Sequence, residues 1–182
     1  TIPAYLQRNG RDGKYAKAPA IREKNFGIWL TFTWSEYLEN VQDFSLGLAS
    51  LGFGKDDKVA LIGNNRPRLY WAQFSAMCLG GQAVPVYHEA IATEMSFVLA
   101  HCAASVIVAV DQEQVDKVLE IRDQLPNLKC LIYDYPRGLR GYDVDILKSF
   151  EDVQALGRDF GAKNQGYFEA EVAKVRPDDV AL

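Results

Sequence analysis

The sharpest cluster of chemically capable side chains is Tyr87-His88-Glu89. An imidazole can serve as acid, base or donor near neutral pH, and the carboxylate of the following residue could orient it. The triplet follows an apolar run, which places it at the carboxyl end of a strand, where open α/β sheets bind ligands. The alternative is an exposed polar loop with no chemistry, and spacing alone assigns no Ser or Cys nucleophile to it. A second candidate is the turn Gly63-Asn64-Asn65-Arg66-Pro67. It either lines a site or simply turns the chain, with Asn65 capping the next helix. Arg137 and Arg140, with Gly138 and Gly141 among them, suit either phosphate or a solvated turn. His101, beside Cys102, is expected on a helix, partly buried and hydrogen-bonded. Neither GxGxxG nor GxxxxGK[ST] occurs.

Composition narrows the classes. The chain has 182 residues, 48% hydrophobic and 24% charged, with a net charge of −4. Those proportions suit a globular domain with a real core, and the acidic balance gives no sign of a nucleic-acid surface. Cys78, Cys102 and Cys130 are odd in number, widely spaced and in apolar contexts, which predicts buried thiols in a reducing, cytoplasmic compartment. With no CxxC pair and only His88 and His101, zinc is not expected. The polar start TIPAYLQRNGRDGKYAK is no secretory signal. Leu69–Tyr87 is free of charge and near the length of a membrane helix. Gly80-Gly81, Gln73, Gln82 and Pro85 instead divide it into a buried helix and a short strand. Pro85 predicts an edge or irregular position. The aromatic residues Trp29, Trp34, Trp71, Phe26, Phe32, Phe44 and Phe74 are expected mainly in the core.

The elements that must position these groups alternate. Ala20–Glu23 and Ile28–Thr33 read as a hairpin turning at Lys24–Gly27. Thr33 and Glu36 form a capping-box pair ahead of a helix striped by Trp34, Tyr37, Leu38, Val41, Phe44, Leu48 and Leu51. Strands follow at Val59–Ile62, Ala83–Tyr87, Val106–Val110 and Cys130–Tyr133. Between them lie a helix led by Pro67, one capped by Thr93, and one capped by Asp111 with Gln114. Beyond Asp134 come a turn-rich loop, a short helix FEDVQALG capped by Ser149, and a helix over 165–175. The alternation predicts an α/β fold, a mostly parallel sheet with flanking helices. The closing Asp179-Val180-Ala181-Leu182 reads as the first half of a strand, and the chain is expected to be a fragment exposing apolar surface.

Several stretches together resemble the AMP-forming acyl-CoA synthetases of the adenylate-forming family. They are KAPAIREKNFGIWLTFTWSEYLENVQDFSLGLASLGFGKDDKVALIGNNRPRLYW, AMCLGGQAVPVY, VDQEQVDKVLEIRDQLPNLKCLIYDYPRGLRGYD and FEAEVAKVRPDDVAL. The third is similar to the bacterial long-chain fatty acyl-CoA ligase branch. The resemblance implies that residues 1–182 are the N-terminal portion of the adenylate-forming domain, ending before its phosphate loop. It implies a parent enzyme that joins a fatty acid to ATP as acyl-adenylate and then to CoA, with Mg²⁺. It also implies that residues 1–182 alone are inactive and hold none of ATP, CoA or Mg²⁺. None of the family's signature catalytic residues maps onto this chain. Tyr87, His88 and Glu89 are chosen by position as wall residues of the site. No transmembrane segment is expected, and peripheral contact at the inner membrane face is left open. The competing reading is a non-catalytic Rossmann-like or flavodoxin-like nucleotide-binding module.

Overall fold

The strands are short apolar runs bounded by turn residues, and in the computed structural model, which describes residues 1–182 throughout, five of them build one parallel sheet. The chain opens with helix α1 (Ile2–Arg11), then the antiparallel hairpin β1 (Pro19–Asn25) and β2 (Ile28–Thr33), and helix α2 (Trp34–Ser50). There follow β3 (Lys58–Ile62), α3 (Pro67–Cys78), β4 (Gln82–Val86), α4 (Ala92–Cys102), β5 (Val106–Ala109), α5 (Gln112–Glu120) and β6 (Cys130–Tyr133). Strand β7 (Leu147–Ser149), α6 (Phe150–Lys163) and α7 (Tyr167–Lys174) complete it. The sheet order is β4-β3-β5-β6-β7, all parallel. This is a doubly wound order of flavodoxin type, with its switch point between β3 and β5.

Strand alternation sorts the side chains into two cores. Val59, Leu61, Val106, Val108, Cys130 and Ile132 face one side, under α2, α3 and α6. Ala60, Ile62, Ile107, Ala109 and Leu131 face the other, under α4 and α5. A strand buried on both faces must be apolar at every position, which is why β5 reads VIVA. Phe44 stacks on Phe150 with ring centroids 4.1 Å apart, joining α2 to α6. Pro85 lies on β4, an edge strand, as expected. At that edge the Ala83 N–H donates to the carbonyl of Ala181 at 3.0 Å.

Several local expectations hold. Thr33 Oγ1 accepts from the Glu36 N–H while the Glu36 carboxylate accepts from the Thr33 N–H, a complete capping box. Asp111 and Ser149 cap α5 and α6. Others need correction. Thr93 does not cap α4: the cap falls two residues earlier, at Ile91, so the helix starts at Ala92, and the Glu94 carboxylate accepts from the Ile91 N–H. Helix α6 does not stop at Gly157. That glycine lies against α2, where a Cβ would come within 1.8 Å of the Asp43 carbonyl oxygen, and Gly47 of α2 has equally little room against Val153. Glycine here allows two helices to touch rather than ending one. Helix α1, capped by Thr1, and the three-residue β7 were not expected at all. Phe26 and Trp29 are exposed rather than in the core. No helix is long and apolar enough to cross a membrane.

Candidate functional site

The carboxyl ends of the parallel strands all open on one rim, and the candidate residues are spread along it. Tyr87, His88 and Glu89 follow β4 directly. The Tyr87 hydroxyl donates to Glu89 Oε2 at 2.5 Å, and this bond is the main reason the phenol pKa lies above its ordinary value. The expectation that Glu89 orients His88 is therefore corrected: the carboxylate takes its immediate phenol neighbour. His88 is held instead through its backbone, its carbonyl accepting from Lys117 Nζ of α5 at 3.0 Å. Lys117 also pairs with Glu113 at 2.8 Å and, chiefly through that hydrogen bond, keeps the Glu113 carboxyl below the usual range. The rim of β4 is thus a polar ledge of phenol, imidazole, carboxylates and one ammonium.

At the end of β3 the backbone of Gly63 packs against the side chain of Val110, just past β5: a Cβ there would lie 2.5 Å from that of Val110. This close approach leaves no room for a side chain at position 63. Asn64 and Asn65 are exposed. Arg66, not Asn65, occupies the cap position of α3, and no side chain caps it.

At the end of β6 stands Asp134, only 8% exposed. Arg68 donates to it at 2.9 Å and to Glu151 at 2.5 Å, and the guanidinium lies 5.3 Å over the Phe150 ring. Burial pushes the Asp134 carboxyl above its ordinary value, with Arg68 and Arg66 pulling the other way. Arg66 faces Glu23 of the hairpin at 3.7 Å. These groups line a cleft of about 590 Å³ between the hairpin and the sheet. Each arginine in it already has a carboxylate, so the set is neutralised internally and does not fit a triphosphate. No group of three His, Cys, Asp or Glu is placed to hold a metal ion.

The remaining candidates lie apart from the rim's ion pairs. Arg137 and Arg140 are exposed on a loop pinned by buried Leu139 and by Tyr142, whose hydroxyl donates to Asp116 at 2.7 Å. His101 is exposed and stacks on Phe97, not partly buried as expected. Cys78 and Cys130 are buried free thiols, and burial pushes that of Cys130 up to about 11. Cys102 is half-buried. The Arg68–Asp134 and Lys117–His88 links escaped sequence reasoning. The available signal was positional, a charged residue set directly after a continuous apolar strand, as Asp134 follows CLIY.

The family described as AMP-binding enzyme matches residues 10–182. The chain is 31% identical over 146 residues to the long-chain-fatty-acid–CoA ligase ACSBG2 of Xenopus laevis, covering 80% of this chain and 20% of that protein. It is 32% identical over 136 residues to the long-chain-fatty-acid–CoA ligase heimdall of Drosophila melanogaster, covering 72% and 20%. It therefore spans about a fifth of the length of these curated relatives. Among solved structures, acetoacetyl-CoA synthetase from Streptomyces lividans superposes with a TM-score of 0.71 at 22% identity, over 83% of this chain and 25% of that one. That likeness carries the fold. With the family matched over nearly the whole chain, these 182 residues belong to the AMP-binding enzyme family.

Proposed function

We propose that the protein containing this chain is an ATP-dependent fatty acid–CoA ligase. A carboxylate displaces pyrophosphate from ATP to give acyl-adenylate, and the CoA thiol then displaces AMP to give the thioester. The observation that carries this reading is the family match together with relatives that are themselves named long-chain-fatty-acid–CoA ligases. ATP and CoA are the co-substrates and Mg²⁺ the cation we assign to the whole protein. No step is placed on residues 1–182, where the arginines of the cleft, Arg66 and Arg68, are already paired with carboxylates. Their part is scaffold: the sheet, its flanking helices and a rim on which Tyr87, His88 and Glu89 form a wall facing ligand. The protein is assigned to the cytoplasm, with peripheral contact at the inner membrane face. Fatty-acid-dependent pyrophosphate release by the full-length protein tests the reading, and residues 1–182 alone are expected to release none.

One observation favours a second reading, a free-standing nucleotide-binding module: the flavodoxin-type strand order. Against it stands the lack of a glycine-rich phosphate loop, since neither GxGxxG nor GxxxxGK[ST] occurs in the sequence. Calorimetric titration of residues 1–182 with ATP, CoA and flavin separates the two. Saturable micromolar binding supports the module; no heat from any of the three supports the scaffold.

A further inference from the structure

Within residues 1–182 the hairpin β1–β2 leaves large aromatic side chains exposed. Phe26 is 91% exposed and Trp29 63%. Phe26 sits at the apex with φ 46°, next to Gly27 with φ 82°. Two positive φ values in succession are the demand of a tight type I′ turn, which Asn-Gly meets without strain and a bulky aromatic does not. Both exposure and backbone would be served better by Asn at position 26.

The two faces of the hairpin differ. Its register sets Arg22 opposite Thr31, Glu23 opposite Leu30 and Lys24 opposite Trp29, so alternate residues share a face. Glu23 turns inward and pairs with Arg66, and on the same face Phe32 meets Trp71 edge-on at 5.2 Å. The outer face carries Arg22, Lys24, Trp29 and Thr31, all exposed, with the Lys24 ammonium 5.9 Å from the Trp29 ring centroid. It bears two cations and no carboxylate, on a chain whose net charge is −4. An exposed tip with one aromatic at its apex, at the edge of the cleft, fits a surface it can penetrate.

We propose that this hairpin docks the protein on an anionic lipid surface. Phe26 enters the acyl region, Trp29 lies at the headgroup boundary, and Arg22 and Lys24 meet lipid phosphates. The rest of residues 1–182 is net acidic and is repelled by such a surface, so this part of the protein approaches hairpin-first. The inference rests on the ligase reading for its purpose, since a long-chain acid resides in membranes, while its physical support is the hairpin itself.

The test uses the full-length protein with vesicles of phosphatidylcholine, with and without phosphatidylglycerol. Co-sedimentation is expected with the anionic vesicles and not with the neutral ones. Phe26→Asn is expected to weaken binding at least about tenfold with an unchanged or higher Tm, because Asn tolerates the turn. Arg22→Gln with Lys24→Gln is expected to weaken it about thirtyfold, roughly fivefold for each charge. Unchanged vesicle binding in both variants overturns the proposal, as does a hairpin-dependent change in oligomeric state in place of lipid binding. Pyrophosphate release with fatty acid dispersed in neutral detergent is read in parallel and is expected to be unaltered by these substitutions. Hairpin-dependent binding without that activity would sink the ligase reading and leave the docking surface standing.

Discussion

The hydroxyl of Tyr87 donates to the carboxylate of Glu89 at 2.5 Å, so the acid next to His88 is engaged by a phenol and not by the imidazole. A general base needs an orienting partner or a tuned environment to contribute its usual factor of about 10²–10⁴. We therefore propose that the ledge after β4 serves contact rather than proton transfer. In the full-length protein, His88→Ala and Tyr87→Phe are therefore expected to raise KM for acid or CoA a few-fold with kcat nearly unchanged. A loss in kcat of about a hundredfold or more would instead make His88 a catalytic group.

The close approach of α2 and α6 rests on Gly47 and Gly157. A methyl group at Gly157 would meet the Asp43 carbonyl oxygen, which belongs to backbone and cannot swing away. Gly157→Ala is expected to cost about 1–3 kcal/mol or more, read as a lower urea midpoint. An unchanged midpoint would mean that the helices separate freely.

How far the sequence could be read follows from the range of the forces involved. The bounds of β2 and β6 were legible because short apolar runs between turn residues specify them locally. So was the capping box at Thr33, which spans three positions. Gly157 misled because a glycine that ends a helix and one that admits a neighbouring helix look alike until the neighbour is known. Helix α1 was hidden by a polar composition from which only Pro3, Leu6 and Gly10 are buried. Strand β7 has three residues, too few to show a period. At the rim, the position of Tyr87–Glu89 after a strand was legible, but the pairing of Arg68 with Asp134 joins residues 66 positions apart, which only the parallel order of the sheet brings together.

That pair makes a pH-dependent prediction. Burial holds the Asp134 carboxyl above its ordinary 3.8, so its ionised form is tolerated because Arg68 is beside it. Arg68→Ala is expected to destabilise by about 2–3 kcal/mol at neutral pH, discounted from the cost of breaking a fully buried pair because Arg68 is partly exposed. The penalty should shrink as pH falls through the raised pKa of Asp134, since the protonated acid needs no counter-charge. Urea unfolding of both proteins across the acid range checks it; a pH-independent penalty would count against the pairing.

The capping box titrates with the opposite sign. Hydrogen bonds from the Thr33 N–H and then its hydroxyl hold the Glu36 carboxyl below its ordinary 4.5. Its contribution is therefore present at neutral pH and lost as pH falls through the lowered value. Thr33→Ala is expected to cost about 1 kcal/mol at neutral pH. Glu36→Gln should flatten the acid limb of the stability curve between roughly pH 5 and pH 3.

The central claim, that these residues are scaffold in an acid–CoA ligase, is tested most directly by the products the full-length protein makes from ATP. With a fatty acid and CoA present, the expected result is AMP, pyrophosphate and acyl-CoA in equal amounts, with none formed when the acid is omitted. Formation of ADP and phosphate, or no pyrophosphate with any carboxylic acid offered, would contradict it.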